Sequence, residues 1–483
     1  MRSWTWLSLL AVPALTACAA VADAPPSARG GEETSGAGGG GGRVGGSDLP
    51  RSCGTLELAE PSLRLAERDT DLLDPQWVIG AGADAPLYLY AAATTPSSGR
   101  VLQRATLDPW SEQPATFSEP TLVLDSRRAP VHGNAFAVAP LRPSYDSNYE
   151  SIVFYREHSK QQQVDYLPPV FQFRATPAWS HGGPPAAPAW EQDIGEYPGD
   201  RIVTLRPNDS GTAHLAILEL EEPGPRYSLM RTLLTNTVHH SSTIFTLGCA
   251  TTPIAFDAAW DQGSWLFGAA LGAPTAWESG WQPCDVRYPG VGPAKTIYLG
   301  RHFRDESGSG TITSNEAISE AAPVARLRVA PRPDGAWLAW SLAPVEDAPG
   351  ALRVARMTRS ASAALPPVTV PSCFSLVPGS LAAEQVEGDL VVAVVETSTD
   401  GSDRIVLRRL NAGGEVTWMK TVYPTGKVEG SLAMVAQGGR GLLLAWAERS
   451  SSASAAQLRA ARFDCAEESG AIPACDVEAP IPR

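Results

Sequence analysis

Long amphipathic helical patterns are almost absent from the sequence, and this argues against a helical bundle or a fold that alternates strands with helices. Instead, 42 prolines and 44 glycines are spread along the 483 residues and separate short apolar segments. Such spacing is typical of an all-β chain. Hydrophobic residues make up 43% of the chain, which is enough apolar material for a sizeable core.

Basic residues are few and scattered. Lys and Arg number 38 against 52 Asp and Glu, so the formal net charge is −14. Because no Lys/Arg cluster stands out, the sequence argues against a nucleic-acid partner, which requires a basic surface for the phosphates. The excess of acidic residues favours solubility.

Catalytic motifs with fixed spacing are also missing. The sequence has no Gly-x-Ser-x-Gly nucleophile elbow, no His-Glu-x-x-His zinc motif, no phosphate-binding loop and no Cys-x-x-Cys pair. The adjacent His239 and His240 would point to opposite faces of a strand, so they do not favour one metal ion. We therefore predict no catalytic residue, no cofactor and no metal ligand. The paired carboxylates of a glycoside hydrolase follow no fixed spacing, so that class stays open.

What the sequence does contain is a repeated unit, in which a glycine turn leads into a short apolar strand. The clearest copies are Gly335–Leu342, Gly388–Glu396 and Gly441–Glu448. The apolar strand has no polar face, so neighbouring sheets must cover both of its sides. Weaker copies of the strand lie upstream, at Pro86–Ala93, Ser151–Arg156, Ala213–Leu220 and Ser264–Leu271.

The copies recur at steps of about 51 to 72 residues, longer than but near the usual repeat periods. No unit can bury its own apolar face, so the units must stack, and four-stranded units that close into a ring are propeller blades. We predict an all-β fold, a single β-propeller over residues 51–483. Seven blades is the favoured count, with six or eight blades, or a pair of irregular β-sandwiches, as alternatives. Residues 51–73 precede the first full unit, and two stretches of them, Thr55–Leu58 and Leu63–Leu65, alternate like strands. This segment is expected to pair near Leu458–Phe463, closing the ring.

Two stretches are predicted to be loops. Asp305–Glu320 is polar and is expected to form a mobile surface loop. The second unit is enlarged by Arg142–Glu150 and Glu157–Trp190, and the latter is an aromatic-rich stretch of the kind that often forms a binding surface. Packing of these aromatic side chains onto the blade is the favoured alternative. They are Tyr166, Phe171, Phe173, Trp179, His181 and Trp190.

The sixth unit contains a glycine turn, Gly413-Gly414, followed by Trp418. This segment is similar to the repeat of quinoprotein-type propellers, in which the tryptophan docks between blades. The resemblance covers one unit only. It implies a blade geometry and no cofactor.

The first 17 residues are predicted to be an export signal, since Arg2 is followed by the apolar run Leu7–Leu15, too short to span a bilayer. Leu15-Thr16-Ala17-Cys18 then resembles the lipobox of bacterial lipoproteins. The resemblance implies cleavage before Cys18, lipidation of its sulfur and, because Ala19 rather than Asp follows, an outer-membrane location. The alternative is a secreted or periplasmic protein cut after Ala20-Val21-Ala22.

Residues 18–50 are predicted to be a flexible tether. Gly36–Gly46 is almost entirely glycine, and the flanking residues are small or charged. Such a segment cannot bury enough apolar surface to fold. It would hold the globular domain away from the membrane.

Six cysteines remain beyond Cys18, an even number that suggests disulfides in an exported protein. The preferred pairs are Cys465–Cys475, which flank a short loop, Cys249–Cys284, which bracket one unit, and by remainder Cys53–Cys373. Pairing of Cys53 with Cys465 or Cys475 is the alternative, and free buried thiols are another.

These observations favour a cell-envelope lipoprotein whose propeller presents loops to a protein or glycan, without catalysis. A secreted glycan-processing hydrolase with carboxylates at the mouth of the ring is the first alternative. A structural scaffold of the envelope without a diffusible ligand is the second. The only membrane contact expected is through the N-terminal lipid, since no transmembrane helix follows.

Overall fold

A computed structural model describes residues 55–59, 65, 72–79, 87–95, 99–107, 122–123, 136–140, 149–158, 171–180, 192–197, 199–207, 213–220, 226–234, 242–250, 255–271, 294–304, 310–346, 349–437, 441–450 and 455–466. Contacts divide the chain into two units, Met1–Asp48 and Leu49–Arg483, and the described residues all belong to the second. The predicted signal peptide, Cys18 and the predicted tether lie outside the described residues.

The described residues form 29 β-strands and one short 3-10 helix, Pro378–Ser380. None of them forms a helix that is long and apolar enough to cross a membrane. The first fourteen strands are β1 Thr55–Leu58, β2 Leu72–Ile79, β3 Leu87–Thr95, β4 Gly99–Leu107, β5 Leu122–Val123, β6 Phe136–Pro140, β7 Tyr149–His158, β8 Phe171–Ser180, β9 Gln192–Tyr197, β10 Gly199–Pro207, β11 Ala213–Leu220, β12 Arg226–Leu234, β13 Ser242–Ala250 and β14 Ala255–Asp261. The others are β15 Ser264–Leu271, β16 Thr296–Arg304, β17 Gly310–Ser319, β18 Val324–Arg332, β19 Gly335–Leu342, β20 Ala351–Thr358, β21 Ala363–Val370, β22 Ser375–Leu376, β23 Ala382–Val386, β24 Asp389–Thr397, β25 Asp403–Leu410, β26 Val416–Val422, β27 Lys427–Ala436, β28 Gly441–Arg449 and β29 Gln457–Ala466.

Within the described residues, the strands form seven antiparallel sheets, and strands that follow one another in the chain are neighbours in a sheet. Five sheets contain four consecutive strands each: β2–β5, β6–β9, β10–β13, β14–β17 and β18–β21. The sixth contains β24, β25 and β26, with β22 and β23 both paired to β24. The seventh contains β27, β28, β29 and β1. Repeated four-stranded meanders of this kind are the unit of a β-propeller. The predicted all-β class is therefore confirmed, with sheets of the propeller type.

The first strands of the sheets meet one another. In chain order these are β2, β6, β10, β14, β18, β23 and β27, where β23 is taken as the first strand of sheet six because the preceding β22 has only two residues. Each contacts the next, and β27 contacts β2. A first strand has a sheet partner on one side only, so its other edge presents backbone groups that need partners elsewhere. We call this free edge the inner edge.

Side chains of neighbouring first strands supply some of these partners. The Gln76 amide on β2 donates to the Phe136 carbonyl oxygen at 3.1 Å and accepts from the Val138 N–H at 3.0 Å, both on β6. The Trp77 indole N–H donates to the Ala433 carbonyl oxygen of β27 at 3.2 Å. The first strands are therefore joined by side-chain hydrogen bonds as well as by packing.

The seven apolar segments predicted from the sequence all form second strands, namely β3, β7, β11, β15, β19, β24 and β28. All eight residues of β19 are buried. Leu338 on one face of β19 packs in a cluster with Leu266 of β15, while Trp337 on the other face packs with Val392 of β24. The prediction that sheets cover both faces of these strands is confirmed for β19.

The last sheet packs against the first in the same way. Leu443 and Ala445 of β28 share a buried cluster with Leu89 and Ala91 of β3. On the opposite face, Leu444 of β28 clusters with sheet six. Burying a leucine side chain fully contributes about 1.5–3 kcal/mol, so such contacts stabilise the stack of sheets strongly.

The N-terminal strand β1 lies within the segment 51–73 that the sequence predicts to pair with the last unit, and it pairs with β29. The register runs from Thr55 opposite Ala466 to Leu58 opposite Phe463. The Ala59 N–H continues the pairing and donates to the Arg462 carbonyl oxygen at 2.9 Å. The first and last described strands of the chain thus lie side by side in one sheet.

Both predicted loops are wrong in part. Gly310–Ser319, inside the predicted loop Asp305–Glu320, is strand β17 and pairs with β16. It is the fourth strand of its sheet, where one neighbouring strand is enough and little apolar surface is required. Phe171–Ser180 is strand β8, so Phe171, Phe173 and Trp179 lie in a sheet. Tyr166, His181 and Trp190 lie outside the described residues.

Candidate functional site

Four charged residues lie on four consecutive first strands. They are Arg206 on β10, Asp257 on β14, Arg328 on β18 and Glu384 on β23. Because these strands contact one another in this order, the four side chains converge where the inner edges meet. Each of the four is close enough for charges within the group to alter its pKa. We call this group the first-strand cluster.

Arg206 and Asp257 form a bidentate salt bridge. The Arg206 Nε donates to Asp257 Oδ1 at 2.8 Å and its Nη2 donates to Oδ2 at 2.7 Å. The Val329 N–H, on the inner edge of β18, also donates to Oδ2 at 2.9 Å. The Asp257 side chain is fully buried, while 34% of the Arg206 side chain is exposed. Asp257 therefore fixes Arg206 in place and links three neighbouring sheets.

The pKa values of this pair follow from the geometry. Burial acts to raise the pKa of Asp257, but the Arg206 guanidinium and its hydrogen bonds outweigh burial and hold it below its usual range. Burial acts to lower the pKa of Arg206, and the Asp257 carboxylate outweighs it, so the pKa is raised. Both shifts favour the charged form of each group.

Arg328 and Glu384 differ from this pair. Both side chains are half-buried, and neither forms a salt bridge with a described residue. Glu384 accepts a hydrogen bond from the Gln385 backbone N–H. The cluster therefore contains one neutralised pair and, beside it, a cation and a carboxyl group on half-buried residues, neither with a direct counter-ion among the described residues.

Glu384 is the group whose charge changes near neutral pH. Burial raises its pKa to about 7, against the opposing effect of Arg206, while Asp257 adds to the rise and Arg328 opposes it. Its carboxyl is therefore divided between the protonated and ionised forms at neutral pH. A protonated carboxyl donates a hydrogen bond, whereas a carboxylate only accepts.

We expect Glu384→Gln to have little effect on the free energy of unfolding at pH 5 and to increase it at pH 8. In the unfolded chain the carboxyl ionises around its ordinary pKa of 4.5, whereas in the folded chain it keeps its proton up to about 7. Wild-type stability relative to the variant therefore falls as pH rises through this window. Allowing for partial exposure, the loss is about 1–3 kcal/mol.

Urea unfolding at four pH values between 5 and 8 measures this difference. Glu346→Gln is the matched control, because it makes the same substitution at an exposed position. Parallel profiles for wild type and Glu384→Gln would show that burial does not perturb this carboxyl.

The cysteines singled out in the sequence are only partly described. The Cys373 N–H, before β22, donates to Glu396 Oε2 at 3.1 Å, and Cys465 lies in β29 opposite Leu56 of β1. Cys249 lies in β13, but its side chain is outside the described residues, as are Cys53, Cys284 and Cys475. The predicted pairs Cys465–Cys475, Cys249–Cys284 and Cys53–Cys373 therefore stay predictions, as does lipidation of Cys18.

None of the four cluster residues was identified from the sequence. Glu384 is the single charged residue of β23, and Asp257 stands among apolar residues in Ala-Phe-Asp-Ala-Ala, whereas β10 and β18 contain several charged residues each. The pattern around Asp257 and Glu384 is a usable signal, because an unpaired charge in a buried strand is costly. Residues so far apart in the chain, however, meet only when the order of the sheets is known.

The sequence matches no protein-family model and no curated protein. Among solved structures, the β-propeller domain of the trilobed protease from Pyrococcus furiosus is 8% identical, with a TM-score of 0.44 over 83% of this chain and 97% of that chain. A protein of unknown function from Dyadobacter fermentans is 9% identical, with a TM-score of 0.44 over 85% and 99%. The NanB sialidase from Streptococcus pneumoniae is 8% identical, with a TM-score of 0.39 over 86% and 70%. With identities and TM-scores this low, the similarity gives no information about a substrate or partner of this chain.

Proposed function

We propose that this chain is a non-catalytic binding protein of the cell envelope, with a glycan or a protein as its ligand. The observation that carries the proposal is the first-strand cluster, in which half-buried polar groups of adjacent sheets converge. Sites that recognise ligands combine a few well-positioned polar groups with a rigid scaffold. Here the scaffold is the stack of sheets, and Asp257 holds Arg206 in place.

We further propose that the seven sheets are the blades of a closed propeller. The cycle of contacts among the first strands and the pairing of β1 with β29 support this arrangement. Closure would remove the open edges that make isolated sheets prone to aggregation. It would also leave a central channel bordered by the inner edges, with the first-strand cluster beside it.

The electrostatics of the cluster favour binding over hydrolysis. A glycoside hydrolase needs one protonated carboxyl and one ionised carboxylate, both directed at the substrate. The raised pKa of Glu384 suits the first role. Asp257 would be the ionised partner, but both of its oxygens already accept hydrogen bonds and its side chain is fully buried. It is therefore not available to a sugar ring or a water molecule.

A glycan array and cross-linked extracts of the cell envelope, each probed with the mature protein, test the binding function. Selective retention of a glycan or a protein supports it. Turnover of a glycoside or ester panel would instead favour the hydrolase. Failure to retain any ligand, together with no turnover, would favour a structural scaffold.

The N-terminal segment is proposed to anchor the protein through a lipid on Cys18. We expect Cys18→Ser to move the protein from the membrane fraction to the soluble fraction, because the chain then lacks the thiol that carries the acyl chains. Cell fractionation followed by immunoblotting measures this.

Ala22→Leu is the matched control. It obstructs the alternative cut after Ala22, which requires a small residue there, and leaves the lipobox intact. Membrane association should persist in this variant. If Cys18→Ser leaves the distribution unchanged while Ala22→Leu blocks processing, ordinary secretion is the correct interpretation.

A further inference from the structure

The first-strand cluster contains two arginines, and only one of them, Arg206, forms a salt bridge within the cluster. The Asp257 carboxylate accepts two hydrogen bonds from Arg206. Arg328, on the neighbouring strand β18, has no carboxylate in salt-bridge contact among the described residues. Its side chain is half-buried, so the guanidinium has lost part of its hydration without gaining a direct counter-ion.

We propose that Arg328 and Glu384 bind a carboxylate group of the ligand, with an acidic sugar as the chemical class. The guanidinium of Arg328 would donate two N–H groups to the two carboxylate oxygens, the geometry for which arginine is suited. Glu384, in its protonated form, would donate its O–H to one of the same oxygens. This inference rests on the proposed binding function and names the chemistry of its ligand.

The charge balance of the cluster points to an anion. With Glu384 protonated, the cluster contains two guanidinium groups and one carboxylate, so one added negative charge restores neutrality. Burial, the largest effect, lowers the pKa of Arg328, and the nearby Asp257 offsets this only in part. A bound carboxylate would supply the missing stabilisation of the cation.

Glu384 is also the group that would make binding depend on pH. It is the only titratable residue of β23. The neighbouring strand β18 contributes Arg328, and beyond it lie Asp257 and Arg206. On the other side, Lys427 and Glu429 of β27 are paired with Asp403 and Arg449. A carboxylate ligand stays ionised over the range in which Glu384 loses its proton, so its binding should weaken with rising pH.

Isothermal titration of the mature full chain with D-glucuronate, D-glucose and inorganic phosphate tests the proposal. The first two differ only by the carboxylate, and phosphate tests for any anion. We expect glucuronate to bind at least about tenfold more tightly than either of the others. Affinity should fall about tenfold from pH 5.5 to pH 8, in step with the protonated fraction of a group whose pKa is about 7.

Three variants assign the roles. Arg328→Gln should lower glucuronate affinity at least about tenfold, and Arg328→Lys should lose less, since the charge remains without the paired donors. Glu384→Gln should retain binding but lose its pH dependence, because an amide donates at every pH. Arg462→Gln is the control, since Arg462 pairs with Asp464 on β29, a strand that contributes no residue to the cluster. Unfolding midpoints establish that each variant is folded.

Equal affinity for glucuronate and glucose, tighter binding of phosphate, or unchanged affinity in both Arg328 variants would overturn the proposal. So would a pH profile that is the same in wild type and Glu384→Gln. These failures are separable from failure of the binding function. If Arg328→Gln still retains a glycan or protein from the array or the extract, the binding function stands and only the assigned ligand chemistry is wrong.

Discussion

Glu396→Ala is expected to lower the free energy of unfolding by about 3–5 kcal/mol, because it leaves a buried arginine without its counter-charge. Glu396 on β24 and Arg408 on β25 have side chains that are 0% and 1% exposed. The Arg408 Nη2 donates to Glu396 Oε1 at 2.6 Å. The other oxygen, Oε2, accepts the N–H groups of Cys373 and Phe374. The substitution therefore removes partners from a buried cation and from two backbone donors at once.

Chemical denaturation of the variant, monitored by tryptophan fluorescence, measures this loss. Glu429→Ala is the matched control, because Glu429 and Arg449 form the same kind of pair with side chains 32% and 31% exposed. An exposed pair is worth less than about 1 kcal/mol, so this variant should be nearly as stable as wild type. The double variant Glu396→Ala/Arg408→Met should regain much of the stability, since no buried charge is left unpaired. Equal losses for Glu396→Ala and Glu429→Ala would contradict the prediction.

The same arrangement recurs in the next unit. Glu448 stands at the corresponding place near the end of β28 and accepts hydrogen bonds from the Thr425 N–H at 3.2 Å and the Arg459 Nε at 3.1 Å. Its pKa is lowered because hydrogen bonds from Thr425, Trp446 and Arg459 outweigh burial. In both units, one glutamate ties the loop before the first strand to the third strand. The repeat thus extends to buried polar groups as well as to apolar packing.

Gly441→Ala is the second substitution with a large expected effect, a loss of at least about 3 kcal/mol. Gly441 opens β28 with φ at +136°, a backbone conformation that side chains disfavour. A Cβ there would lie 1.9 Å from the Phe463 carbonyl oxygen on β29. Because that oxygen belongs to the backbone of a paired strand, the two strands must separate to admit the methyl group.

Gly388→Ala is the control from the same repeat. Gly388 has φ at +90°, but a Cβ there meets nothing within 4 Å, so only the backbone conformation is penalised. The expected cost is about 1–2 kcal/mol. Thermal and chemical unfolding of both variants give the comparison. If the two alanines cost the same, steric overlap with Phe463 does not decide the effect at Gly441.

Most of the repeat could be predicted from the sequence, because its second strands are buried on both faces. A segment such as Gly335–Leu342 must then be continuously apolar, and the structure places β19 at those same residues. The polar strand β17 gives no such signal. It has one strand neighbour, and residues such as Thr311, Thr313 and Glu316 suit a loop equally well. A polar outer strand such as β17 is therefore easily missed by sequence patterns.

The candidate site could not be predicted, for a different reason. Arg206, Asp257, Arg328 and Glu384 belong to four units and recur at steps close to those of the repeat, so each stands at a similar place before its apolar strand. The repeat alone, however, does not show which strands of different units are neighbours. The four residues meet only because consecutive first strands lie side by side. The Glu384 pKa likewise depends on burial and on charges that come from other sheets. The site depends on which strands are neighbours in the fold, and the sequence around each residue gives little indication of that.

The pairing of β1 with β29 has a consequence for how the chain reaches its final form. A ribosome releases Thr55–Leu58 long before Gln457–Ala466 has been synthesised, so β1 has no partner in its sheet until β29 has been made. Until then both edges of β1 are open to other chains, and a chaperone that shields this segment would suppress aggregation. Premature termination before residue 457 would leave both β1 and β28 without a neighbour that each has in the finished protein.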